Sequence, residues 1–592
     1  MNPFLQKCHD RLVWAISLAW FFLVSCNNNP LVEAPIEVPN DAQPSCGFSP
    51  AAINDWFRSG SPSLNGIVNP PNSAGFNFTD IQFCNFFNWA EQTFLWVTSP
   101  DSTYGGGGRV FDSPVFFDVS SSGIDSSMTL IPHSPGLIHA MALRTAQRGP
   151  HDLSVVFTRA GKMLEVSTPP RSPAGRELIL DRGGKPVEIG EIVRGDAGRP
   201  VFLDMQHHPI EGAHPGLKVS PETRNIIERF LMRGVPIFIN ATGDIVDVQP
   251  DQADGGVVMT QGNSLIYYIA MVNDVFAYLR TGTRDGNISL VSGHFPMSYA
   301  DMDTVVRFAA SKNVTLPDSL ALVVELKSAW VLASSVPDPG DYITITAAVP
   351  RYNKTATQWT LVPNVMDTVL LAMIGMHVVG TVNQHPEMIW ATFVHNGVAP
   401  DTTYSYVAMR GQPLTVPANT VGNWLLCANG APPPYNQQRM SWSNGNIVAA
   451  PGNTIGPSNV VTMKPWGCGR DATSEIDPQT PAQSNSKVIS EDQSVRGALV
   501  NGDARRNYIF RGATWTDEGQ PGTGIGAFGR NEIGTSSLAN VTMETFQQGN
   551  ASAFTGSNCF DCHQSAARPT GMRGDYADTG ESHLWRFLRP LF

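Results

Sequence analysis

The stretch MDTVLLAMIGMHVVGTV, Met366 to Val382, decides how the chain is read, because it is apolar nearly throughout and long enough to cross a domain core. Isolated strands usually stop at about eight residues, so a run of this length predicts a core helix. Working outward toward the N-terminus, Asp341 to Ala348 (DYITITAA) alternates like a strand. Leu320 to Ala333 (LALVVELKSAWVLA) is continuous enough for either a buried strand or a core helix. Leu265 to Arg280 (LIYYIAMVNDVFAYLR) is apolar at i, i+3 and i+4 and predicts another helix. Pro236 to Asn240 followed by Asp244 to Val248 across Ala-Thr-Gly predicts a hairpin. Phe83 to Val97 (FCNFFNWAEQTFLWV), stopped at Ser99-Pro100, predicts a buried helix.

Toward the C-terminus the character changes. Between Gly411 and Ser486 Pro, Asn, Gly, Ser and Gln dominate, as in GAPPPYNQQRMSWSNGN, which predicts loops pinned on a neighbour or a linker. The expected fold class is α+β, a large mixed, loop-rich N-terminal region with a short, mainly helical C-terminal segment. The expected boundaries are a signal over 1–25, a tether over 26–45, mixed domains over 46–410, a loop-rich connection over 411–487 and a haem-binding region over 488–592. No repeat at solenoid or propeller period is present.

The 592 residues are 42% hydrophobic, with 29 Phe and 13 Trp, enough for a large core. With 54 Gly, 45 Pro and only 15% charged residues, the composition suits a loop-rich exported protein better than a helical bundle. The formal charge of −12 includes no basic run, which argues against a nucleic-acid partner.

Lys7 and Arg11 precede an apolar run from Leu12 to Val24 that ends in Leu23-Val24-Ser25-Cys26. A charged start and a short apolar core make a secretory signal, short for a membrane span, with an ordinary cleaved signal or an uncleaved anchor as the alternatives to a lipoprotein signal. Leu-Val-Ser-Cys resembles the bacterial lipobox, which implies cleavage before Cys26 and lipid on its thiol. Asn27 after it leans toward the outer membrane, on its periplasmic side or at the cell surface. Of the eight cysteines, Cys8 leaves with the signal and Cys26 takes lipid, while Cys46, Cys84, Cys427 and Cys468 allow three pairings. Proximity favours Cys46–Cys84 and Cys427–Cys468, with buried thiols as the alternative.

Chemistry is concentrated in Cys559-Phe560-Asp561-Cys562-His563. Two thiols at this spacing add to the two vinyl groups of one porphyrin, and the next residue offers an imidazole to the iron, so the motif predicts one covalent haem c. A thioredoxin-like dithiol would need a βαβ setting, and a structural zinc site would need a second ligand pair at recognisable spacing. For the sixth iron ligand His583 is preferred, then Met572, with Met543 and His377 as more distant candidates.

The motif resembles those of c-type cytochromes, and the wider pattern is similar to a family of uncharacterised exported bacterial proteins of cytochrome c-like type. The resembling pieces are Val324-Glu325-Leu326-Lys327-Ser328-Ala329-Trp330, Gly375-Met376-His377-Val378-Val379, Pro386-Glu387-Met388-Ile389-Trp390-Ala391-Thr392-Phe393 and Leu538-Ala539-Asn540-Val541-Thr542-Met543-Glu544-Thr545-Phe546. The resemblance implies haem binding and electron transfer and carries no known substrate. It departs from small cytochromes in placing the motif close to the C-terminus, so the haem is expected to pack on the preceding domain.

Other signals are weaker. Gly524 to Gly529 fits GxGxxG but lies in a Gly-Pro-rich loop, and Gly105 to Gly108 reads as a plain loop. His207, His208 and His214 lack helical spacing for a metal, and Asp244, Asp247, Asp251 and Asp254 lack that of a calcium loop. His377 and His395, bracketing Trp390 and Phe393, form with Glu325 a candidate substrate pocket. No GxSxG elbow, P-loop or HExxH occurs. The expected function is haem-based electron transfer with a redox partner protein or a small donor or acceptor. The alternatives are a haem-dependent oxidoreductase acting on a small organic substrate or peroxide, and a haem sensor or scaffold.

Overall fold

The computed structural model describes residues 36, 38–47, 49–120, 127–141, 143, 153–157, 163–195, 199–217, 225–232, 235–246, 256–290, 294–443, 445–467, 479–520, 532–535, 537–548, 559–563, 581–582, 584–585 and 587–592. The signal, Cys26, Cys468, Asp247, Asp251, Asp254, Gly524–Gly529, Met572 and His583 lie outside these residues.

Met366 to Val382 is not a helix: it belongs to a strand from Gln358 to Val382. From Leu371 onward every residue of that strand except His377 is buried. A strand covered on both faces shows no polar alternation and reads as one apolar run, which is how a helix was expected here. The contrary signals were Val378, Val379, Thr381 and Val382, stiff at χ1 and suited to strands, together with two glycines. Gly375 is required by close packing, since a Cβ there would meet Thr542 Oγ1 at 2.6 Å.

In chain order the principal elements are α1 (Phe83–Val97), β1 (Phe116–Val119), β2 (Leu130–Pro132), β3 (His139–Ala140) and β4 (Tyr267–Asn273). Then come α2 (Asp274–Arg284), α3 (Tyr299–Ser311), β5 (Val324–Leu332), β6 (Thr344–Lys354), β7 (Gln358–Val382) and β8 (His385–His395). The chain closes with α4 (Pro481–Ala498), β9 (Tyr508–Thr516), β10 (Glu532–Gly534) and the single turn α5 (Cys559–Cys562). A 12-stranded sheet has the spine β2-β1-β4-β5-β7-β8-β9-β10, and β6 pairs with β7 and β3 off that spine. Among the described residues the fold is β-rich and loop-rich, 33% strand and 19% helix.

The helix expected over Leu265–Arg280 is half strand and half helix. Asn273 divides it: its Oδ1 accepts from Phe276 N at 3.1 Å to cap α2, and its Nδ2 donates to Leu322 O at 2.7 Å. Of the two readings of Leu320–Ala333 the strand is the one formed, as β5. The hairpin expected after Pro236 closes through Val246 N to Phe238 O at 2.7 Å. Its first strand, Val235–Ile239, has Ile226–Met232 as its main partner, in a separate four-stranded sheet with Met163–Ser167 and Ser154–Phe157.

The boundary expected at 487/488 is not a structural one. Thr480 and Gln483 form a capping box that starts α4 at Pro481, so the helix runs across it. β9 then pairs with β8 from Trp390 to His395, inside the main sheet. The region expected over 488–592 is therefore built into the same sheet, and its described residues are not mainly helical. The expected tether is in part fixed: Ile36 is buried, and Gln43 N donates to Val407 O at 2.8 Å. Cys46 and Cys84 form a disulfide with Cα atoms 5.1 Å apart. Cys427 is a buried free thiol, and burial pushes its pKa up to about 11, while its expected partner Cys468 lies outside the described residues.

Each face of the sheet carries its own core. Leu326, Val378, Ala391 and Phe393 join the aromatic residues of α1 on one face. On the other, Val379, Met388 and Trp390 pack with α2, α3, Phe560 and Trp585, while Ala329, Ile374 and Val394 pack with Met543 and Phe546. A polar strip separates these last two clusters.

Candidate haem-attachment site

Antiparallel register lays out the strip. Glu325 lies opposite Val379 and Val379 opposite Trp390, while Lys327 lies opposite His377 and His377 opposite Thr392. Side chains alternate across a sheet, so both rows project from the face away from α1. Residues 538–546 cross over them. Asn540 Nδ2 donates to Thr392 Oγ1 at 2.6 Å, and Tyr268 OH donates to Thr542 O at 2.8 Å. Glu544 Oε1 lies 3.2 Å from Lys327 Nζ and Oε2 lies 3.0 Å from His377 Nε2. Burial alone would raise the Glu544 carboxyl, but His377 and Lys327 outweigh it and hold its pKa down to about 2. The four resembling pieces, far apart in sequence, thus meet on one face of three adjacent strands.

The Cys559–Cys562 turn packs beside this strip. Phe560 is fully buried and Cys559 half-buried against the same cluster as Trp390. The His563 ring lies 4.1 Å from the Trp390 ring, centroid to centroid, and His563 Nδ1 lies 2.8 Å from Glu581 O. Ser582, next to Glu581, donates its hydroxyl to Glu325 Oε2 at 2.7 Å. Burial lifts the Glu325 carboxyl to about 7, against the opposing pull of Ser582 and Lys327. Farther on, Trp585 packs on Phe276 and Phe295, and Arg280 Nε donates to Leu588 O at 3.0 Å, tying the C-terminus to α2.

The expected pocket of His377, His395 and Glu325 is not assembled. His377 and Glu325 share the strip, but His395 stacks on Tyr342 at 3.7 Å, with its Nδ1 accepting from Gly397 N at 3.2 Å. Burial drives its pKa down to about 3, so it is a neutral core histidine. Of the more distant iron-ligand candidates, Met543 is buried in the cluster with Ile374 and Val394, and His377 Nε2 is engaged by Glu544. His207 and His208 sit in an exposed turn after Asp204 and form no ligand cluster with His214 among the described residues.

The sequence reading passed over a second cluster, Asp112, Asp118, His133 and His139. Asp118 lies 2.5 Å from His133 Nε2 and 2.8 Å from His139 Nδ1, and Asp112 lies 2.9 Å from His139 Nε2. Its one sequence signal is a lone Asp in the apolar strand FFDV, which costs free energy unless it is paired. Glu544 carries no local signal of its role, because Lys327 and His377 are far from it in sequence. Comparison of the chain with family models, with curated proteins and with solved structures finds no match.

Proposed function

We propose that the chain is an exported, lipid-anchored electron-transfer protein with one haem c attached at Cys559 and Cys562 and His563 as an iron ligand. The observation that carries this reading is the contact between His563 Nδ1 and the Glu581 carbonyl at 2.8 Å. A carbonyl only accepts, so Nδ1 carries a proton, and in the neutral ring Nε2 is then the nitrogen that can bind a metal. Haem, once attached, supplies one-electron exchange. This chain's part is to seat Phe560 in the core and brace the His563 ring against Trp390. The Cys46–Cys84 disulfide supports export, since such bonds persist in oxidising compartments. The lipobox at Cys26 supports anchoring at the envelope.

The test is a visible spectrum, oxidised and dithionite-reduced, of protein made in a host with cytochrome c maturation. A pyridine haemochrome of the denatured protein should retain the c-type α-band, and Cys559→Ala, Cys562→Ala should abolish it. Absence of covalent haem from the parent protein would sink the proposal. Five-coordinate iron that binds carbon monoxide would instead favour the oxidoreductase reading.

A further inference from the structure

Across the sheet from the haem-attachment site, Asp118 occupies a position where neither neighbour is polar. Phe117 and Val119 belong to the cluster that holds Phe560, whereas Asp118 lies in register with Met271, whose side chain joins the core shared with α1. Three strands bring its partners to it. β2 pairs with β1 and leads directly to His133, and His139 begins β3, held in register against Ala347 of β6. Asp118, His133 and His139 are each only 4–5% exposed.

The donor atoms of these three residues lie within 4.8 Å of one another. Two imidazole nitrogens and one carboxylate on a single centre are the protein half of an open zinc or iron(II) site. His139 adds a feature that hydrogen bonding within a cluster of acids does not. Its Nδ1 faces Asp118 while its Nε2 faces Asp112 Oδ1 at 2.9 Å. Carboxylate, histidine and metal in series is the arrangement that fixes a ligand's tautomer and orientation. A dication would also balance the buried Asp118 and the half-buried Asp112. Tetrahedral zinc at about 2.1 Å from each donor needs donors about 3.4 Å apart. The 2.5 Å and 2.8 Å separations therefore open by under about an ångström on binding.

We infer that Asp118, His133 and His139 form a buried site for one divalent cation of the zinc class, with Asp112 as the positioning residue behind His139. The site is independent of the haem reading, because no residue is shared.

The experiment is zinc titration of the full chain after dialysis against EDTA, followed by calorimetry, with zinc-edge X-ray absorption on the loaded protein. The expected result is one equivalent bound, imidazole scattering from two histidines, and a higher melting temperature with zinc than with EDTA. Asp118→Asn and His139→Gln should remove binding, with circular dichroism checking the fold. The milder Asp112→Asn should leave binding in place but weaken it about 10- to 100-fold. No stoichiometric binding would overturn the inference. So would binding that survives Asp118→Asn and is lost in His207→Gln, His208→Gln, which would mark an exposed surface chelate.

Discussion

On the face of the sheet covered by α1, Phe393 stacks on Phe94 at 4.2 Å in an aromatic core. On the opposite face Trp390, from the same strand, lies 4.1 Å from His563 and beside a row of charged side chains. The treatment of buried acids differs as well. Glu544 is met by Lys327 and His377, whereas Glu91 and Glu491, buried at α1 and α4, have Asp492 for a neighbour, whose nearest cation is Arg496 at 3.0 Å. Burial and then the neighbouring acids push both of those carboxyls well above the usual carboxylate range. At Glu544 the neighbouring cations hold the carboxyl ionised, whereas at Glu91 and Glu491 burial without such partners favours the protonated acid.

The largest effects should come from the two aromatics. Trp390→Ala and Phe393→Ala each remove a large buried ring and should each cost about 3–5 kcal/mol in urea unfolding. With haem attached as proposed, only Trp390→Ala should also shift its visible spectrum. An equal spectral change from Phe393→Ala would break the distinction between the faces.

Next in size is Glu544→Gln, which leaves Lys327 and His377 without their anion and should cost about 2 kcal/mol at neutral pH. The folded pKa of Glu544 is depressed, so its contribution is present above the ordinary carboxyl value and is lost as pH falls toward about 2. Unfolding measured from pH 3 to 7 should therefore show parent and variant converging in acid.

The smallest effect has the opposite sign. Glu491 has a raised folded pKa, so the folded state holds a proton that the unfolded chain releases, and stability falls as pH rises above the ordinary carboxyl range. Glu491→Gln should add about 1 kcal/mol at pH 8 and flatten that slope. A destabilising Glu491→Gln with an unchanged slope would show that the acid is neutralised by a partner, and the contrast between the faces would weaken.

Some features needed only short stretches of sequence. The Phe83–Val97 helix, the Cys-x-x-Cys-His spacing and the Cys46–Cys84 pairing can all be read from local period or proximity. These are properties of neighbouring residues, and local sterics and covalent reach act over that range. Met366–Val382 needed the tertiary structure, because a run buried from both sides carries no period to tell strand from helix. The same is true of the strip joining Glu325, Lys327, His377 and Glu544, and of the Asp118, His133 and His139 cluster. Their partners are brought together by strand register, which is decided only when the whole sheet closes and buries both faces.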